Sequence, residues 1–133
     1  MTDRQNRQTA SDDAIRAIKG YLQAMEERDM ARAASFLGDE FQMLFPGDQT
    51  FRTLNDLITW AKPRYRWVKK NYDQFDTCAA EEETIVYCYG TLHGQWPDGS
   101  TFSDIRFIDR FVIKRGLLTD QKVWNDLAEA ANS

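Results

Sequence analysis

The chain holds one histidine, His93, and two cysteines, Cys78 and Cys88, among its 133 residues. Three or four His and Cys ligands cannot be assembled from that inventory. Zinc of the usual kind is therefore excluded, while a carboxylate-only magnesium or calcium site stays open. Basic residues are in deficit, 17 Lys and Arg against 21 Asp and Glu. A general nucleic-acid binder, which works by neutralising phosphates, is not expected. No apolar run exceeds a few residues, so no membrane-spanning helix is expected, and the polar opening MTDRQNRQTA lacks the apolar core of a secretory signal. No Gly-rich phosphate loop is present, and no cofactor is implied. The expectation is a cytoplasmic protein with free, mostly buried thiols.

The length fits one domain. Residues 1–10 carry nothing to anchor them and read as a mobile lead-in, with a single domain over 11–133. Ser11 is placed to cap a helix in which Ile15, Ile18, Leu22 and Met25 recur every three or four residues. Asp29 is placed to cap a second helix through Leu37, stopped by Gly38. Phe41, Met43 and Phe45 alternate as a short strand before the turn Pro46, Gly47, Asp48. Thr53 then caps a third helix through Val68, kinked or broken at Pro63. Four extended segments follow, Tyr72–Ala80, Thr84–Gln95, Thr101–Lys114 and Leu118–Leu127, joined by tight turns. Three helices followed by an antiparallel meander make an α+β fold whose curved sheet wraps the helices and leaves a cavity.

Two stretches are recognisable, YLQAMEERDMARAASFL (Tyr21 to Leu37) and RFIDRFVIKRGLL with VWND (Arg106 to Asp126). With the order of elements, they resemble the NTF2-like superfamily, the cone-shaped fold shared by ketosteroid isomerase, scytalone dehydratase and the SnoaL-like polyketide cyclases. The resemblance spans residues 12 to 127 and implies three N-terminal helices packed in a curved antiparallel sheet. Fold alone does not choose among enzyme, binding protein and assembly module.

Strand parity selects candidate pocket residues. On Thr101–Lys114, Ile105, Phe107, Phe111 and Ile113 share a face with Asp109. A carboxyl in that apolar row has its pKa raised by desolvation. The alternative is an ion pair with Arg106 or Arg110, should parity slip at a bulge. A type I turn at Pro97 and Asp98 with a Gly99 bulge pairs Trp96 with Ser100, and counting back sets Asp109 opposite Tyr87, with Tyr87, Tyr89, Thr91 and His93 facing inward. Tyr21 shares the buried helix face of Ile18 and Met25, as a pocket residue or as core. Asn125 faces inward by parity and is a candidate polar contact.

In the isomerase branch, a helix-one tyrosine and a protonated aspartic acid donate to the substrate's oxyanion, and the resemblance sets Tyr21 and Asp109 at those positions. The same resemblance sets Phe45 where the isomerases carry their general base. Phenylalanine accepts no proton, which leaves His93, with a free-imidazole pKa of about 6.5, as the candidate base. Tyr21, Asp109 and His93 are thus the candidate catalytic set. Phe45, Tyr87, Tyr89, Phe107 and Asn125 are the candidate substrate contacts. Lys62, Arg64, Arg66, Lys69 and Lys70 interleave with Tyr65 and Trp67 and read as a solvated helix face, near enough to the mouth to attract an anionic small molecule. Two functions stand open: a SnoaL-like isomerase, dehydratase or cyclase of a small apolar or carbonyl-containing compound, and a non-catalytic ligand-binding or protein-interaction module. The resemblance also implies a homodimer through the outer sheet face.

Overall fold

Apolar residues at helical spacing make α1, Asp3–Glu26, in which Ile18 and Tyr21 are buried. The computed structural model describes residues 3–131. Residues 4–10, expected as a lead-in, instead extend this helix with exposed side chains. Arg, Gln and Ala are good helix formers with no breaker among them, and Gln8 donates to Asp12 one turn on, at 3.0 Å. Met1 and Thr2 lie outside the described residues.

Asp29 caps α2, Met30–Ala34, accepting from the Arg32 amide at 3.2 Å. This helix stops short of Leu37 because the next residues are taken by the sheet: Leu118 donates its amide to the Phe36 carbonyl, and Leu37–Phe45 is β1. Gly47 and Asp48, at φ 80° and 57°, turn the chain into β2, Gln49–Phe51. Thr53 caps α3, Leu54–Ala61, which ends ahead of Pro63 and does not continue to Val68. Trp67–Ala79 is strand β3, followed by β4 (Thr84–Gln95), β5 (Thr101–Lys114), β6 (Leu117–Asn125) and a short α4 (Leu127–Ala131). The strands form one curved sheet in the order β2-β1-β6-β5-β4-β3, parallel only at β1 and β6.

The expected α+β class stands, but the helical layer is chiefly α1, since α2 and α3 have only 5 and 8 residues. Core side chains of α1 meet Phe41, Met43, Phe111 and Leu118 on the sheet's inner face. Both cysteines are free; Cys88 is buried and Cys78, contrary to expectation, is exposed. Among the described residues no helix is long and apolar enough to cross a membrane.

One bulge decides which side chains enter the cavity. The turn forms as expected, with Trp96 donating to the Ser100 carbonyl at 2.8 Å. Gly94 pairs with Phe102, yet Leu92 pairs with Ile105, so β5 carries one extra residue between them. Asp104 there has φ 58°. Asp109 is consequently opposite Cys88 and not Tyr87. A one-residue shift exchanges the faces of a strand. Val86, Cys88 and Leu92 are buried, whereas Tyr87 and Tyr89 are exposed on the outer face with Thr91 and His93.

Candidate active site

The inner sheet face, α1, α3 and α4 bound a cavity of about 940 Å³, within the range of small-molecule sites. Its wall is largely apolar, including Leu22, Leu57, Trp60, Leu92 and Phe107. Asp109 belongs to that wall and is fully buried on a strand inside the sheet, between Cys88 and Val123 on the neighbouring strands. Alternation along β3 turns Val68, Lys70 and Tyr72 into the cavity, while Trp67, Lys69 and Asn71 take the other face. From there the Lys70 ammonium donates to Asp109 Oδ2 and lies 4.9 Å from the Phe107 ring centroid. Asp109 Oδ1 is buried without a hydrogen-bond partner. The arginines offered as alternative partners are engaged elsewhere, Arg106 with Asp126 at 2.7 Å and Arg110 with Asp120 at 3.8 Å.

Burial pushes the Asp109 carboxyl above the ordinary carboxylate range, and the Lys70 ammonium limits that rise. Burial by itself lowers the Lys70 pKa. The Asp109 carboxylate, by charge and by hydrogen bond, reverses this and holds the ammonium above its ordinary value. Cys88, buried beside the pair, is pushed up to about 12 and stays a neutral thiol.

Tyr21 reaches the same wall from α1, its ring edge-on to Phe41 and Phe111 at 6.2 and 6.3 Å. Its hydroxyl donates to Gln121 Oε1 at 3.3 Å. Burial raises its pKa, with Lys70 and Asp109 both within electrostatic reach. The structure thus brings Tyr21 and Asp109 together and adds Lys70 and Gln121. Phe45, Phe107 and Asn125 also line the cavity. Phe45 packs edge-on against Trp60 at 5.6 Å, and Asn125, at the end of β6, accepts from the Leu127 amide at 3.1 Å.

His93 is not part of this site. On the outer face its Nδ1 lies 3.3 Å from Asn71 Nδ2, and its ring stands edge-on to Trp67. Tyr87 and Tyr89 do not line the cavity either, for the same reason of register.

No family model and no curated protein matches this sequence. Solved structures do match in shape. TerC, co-crystallised with polyporic acid, superposes with a TM-score of 0.74 at 14% identity, over 90% of this chain and 96% of that one. A protein from Shewanella denitrificans described as a SnoaL-like polyketide cyclase gives 0.71 at 14%, over 90% and 94%. A protein from Streptomyces avermitilis described as a dehydratase of the NTF2-like family gives 0.72 at 11%, over 87% and 96%. The fold is NTF2-like.

Within this NTF2-like frame, the residue that sequence reasoning missed is Lys70. In the sequence it reads as part of a solvated helix face, because Leu54 to Val68 keeps helical spacing. The signal pointing the other way is the period of two in Val68, Lys70, Tyr72, beyond a proline that ends the helix.

Proposed function

We propose that this chain is a cofactor-independent enzyme that moves a proton on a small carbonyl-containing, apolar compound. Isomerisation, dehydration and polyketide-type cyclisation all share such a step. The observation carrying this reading is Asp109, buried in the cavity wall with Oδ2 on Lys70 and Oδ1 unclaimed. Ionised by its ammonium partner, Asp109 accepts a proton next to the substrate carbonyl through Oδ1. Lys70 has three donors and gives one to Asp109; the others face the oxyanion that develops. The donor role expected of a protonated Asp109 therefore passes to Lys70, and Tyr21, held by Gln121, orients that wall. The base role considered for His93 passes to Asp109. The names of the similar structures, a polyketide cyclase and a dehydratase, lend support of the same kind.

The test is turnover of a panel of enones and cyclisable polyketides. Asp109→Asn is expected to lose about 100-fold or more in rate, and His93→Ala to keep the parent rate. The rate falls as pH drops through the raised Asp109 pKa, because a protonated carboxyl accepts nothing, so the acid limb lies above the ordinary carboxylate value of about 4. At high pH the rate falls as Lys70 loses its proton. Unchanged turnover in Asp109→Asn refutes the role. No turnover by the parent favours the non-catalytic binding module.

The same reading includes a homodimer through the outer face. Tyr89, Ile108 and Trp124 occupy paired positions across β4, β5 and β6, and all are exposed, Trp124 at 51%. Such a contiguous apolar row favours a covering partner. Light scattering is expected to show a dimer that Ile108→Glu converts to monomer; a monomeric parent overturns this.

A further inference from the structure

Two guanidinium groups at the cavity mouth have no carboxylate partner among the described residues. Arg64, just after α3, lies over the Trp60 ring with its guanidinium carbon 4.1 Å from the centroid. Arg28, just after α1, donates to the Met25 carbonyl and lies within electrostatic reach of the Tyr65 hydroxyl. Both line the cavity with Tyr65 and Trp60, and neither takes part in an ion pair. Of the acidic groups of the lining, Asp109 holds Lys70 and Asp98 accepts from the Ser100 amide and hydroxyl, while Glu26 forms no ion pair with either arginine among the described residues.

Two further observations point to an acceptor that the chain itself does not supply. Trp60 Nε1 is a buried donor with no partner, which costs stability unless a ligand oxygen arrives. Arg28 has φ 58°, a left-handed backbone that glycine adopts at lower cost. An arginine kept in that conformation trades backbone ease for its side chain.

We infer that Arg28, Arg64, Tyr65 and Trp60 form a carboxylate subsite at the mouth, so that the ligand is an aromatic carboxylate whose apolar body extends inward toward Lys70 and Asp109. The inference rests on the proposed small-molecule function and names its substrate class. Phe45, edge-on to Trp60, supplies an aromatic surface beside the subsite. The guanidinium groups offer paired N–H donors for a planar carboxylate. Water at the mouth screens these charges until the ligand covers them. Binding is therefore expected to weaken with salt for the acid and not for its neutral analogue.

The probes are 2-naphthoate and 2-naphthamide, equal in shape and different in charge, followed by quenching of tryptophan fluorescence and by calorimetry. The acid is expected to bind about tenfold tighter than the amide, as charge-assisted hydrogen bonds imply. Arg64→Gln and Arg28→Gly should each reduce that preference and the double variant abolish it, with amide affinity falling less than that of the acid. Arg28→Gly also relieves the backbone, so its melting temperature should not fall, and loss of preference in it cannot be put down to unfolding. Equal affinities in the parent, a preference that survives the double variant, or no saturable binding of either probe overturns the inference. Asp109→Asn separates the two readings. Retained preference for the acid with lost turnover supports both, and turnover dependent on Asp109 with no preference for the acid leaves the proton-transfer reading standing alone.

Discussion

Lys70→Met is expected to lower the free energy of unfolding by about 3–5 kcal/mol, because it leaves the fully buried Asp109 without its counter-ion. The loss is conditional on pH. In the variant the Asp109 pKa rises further above its unfolded value of about 4. Below that value the carboxyl is protonated in both states and the penalty vanishes; it grows as pH rises toward the folded pKa. Urea titrations should therefore find the variant closest to the parent near pH 4 and furthest from it near pH 7. The parent has its own alkaline signature. The folded Lys70 pKa is raised, so the stabilisation it contributes is complete below the unfolded value of about 10.4 and is lost as pH rises through the folded one. Replacing both partners, as Lys70→Met with Asp109→Leu, is expected to restore most of the stability and none of the turnover. A Lys70→Met protein within about 1 kcal/mol of the parent, the usual value of a surface pair, contradicts a buried pair.

Gly90→Ala is expected to be comparably severe for a different reason. A Cβ at Gly90 would stand 2.0 Å from the Asn71 carbonyl oxygen and 3.0 Å from the Asp73 amide nitrogen, both backbone atoms. The register of β3 against β4 shifts between Tyr72 and Gln74, so glycine at this point accommodates the bulge. No side-chain rotation relieves such a clash; the strand must move. Because Lys70 is the residue before Asn71, that displacement also draws its ammonium from Asp109. A loss of about 3 kcal/mol or more is expected, with turnover reduced in whatever fraction remains folded. A Gly90→Ala protein with the parent's unfolding midpoint and rate would show that β3 and β4 approach less closely than described.

The sequence carried the fold in its local signals. The caps at Asp29 and Thr53, the turn at Asp98 and Gly99, and the alternation that buries Ile105, Phe107, Asp109 and Phe111 are short-range features that tertiary packing did not override. What was hidden were two single-residue events. Asp104 inserts a bulge that no composition marks, because a non-glycine residue adopts its positive φ there. That one residue turned His93, Tyr87 and Tyr89 outward. Pro63 ends α3 where the apolar spacing of Tyr65 and Val68 still reads as helix. Short apolar patterns fit both periods, and only the sheet pairing of Trp67 with Gln95 and its successors decides between them. Lys70 was hidden by that choice, although the carboxyl it partners was visible.

The most direct measurement is deuterium incorporation at the α-carbon of a cyclic aryl ketone, 2-tetralone, in D2O, followed by proton NMR with the parent and with Asp109→Asn at matched folded concentrations. The account predicts saturable exchange by the parent above the buffer rate, reduced about 100-fold by Asp109→Asn and unaffected by His93→Ala. Exchange that is the same in the parent and Asp109→Asn would contradict Asp109 as the group that takes the proton.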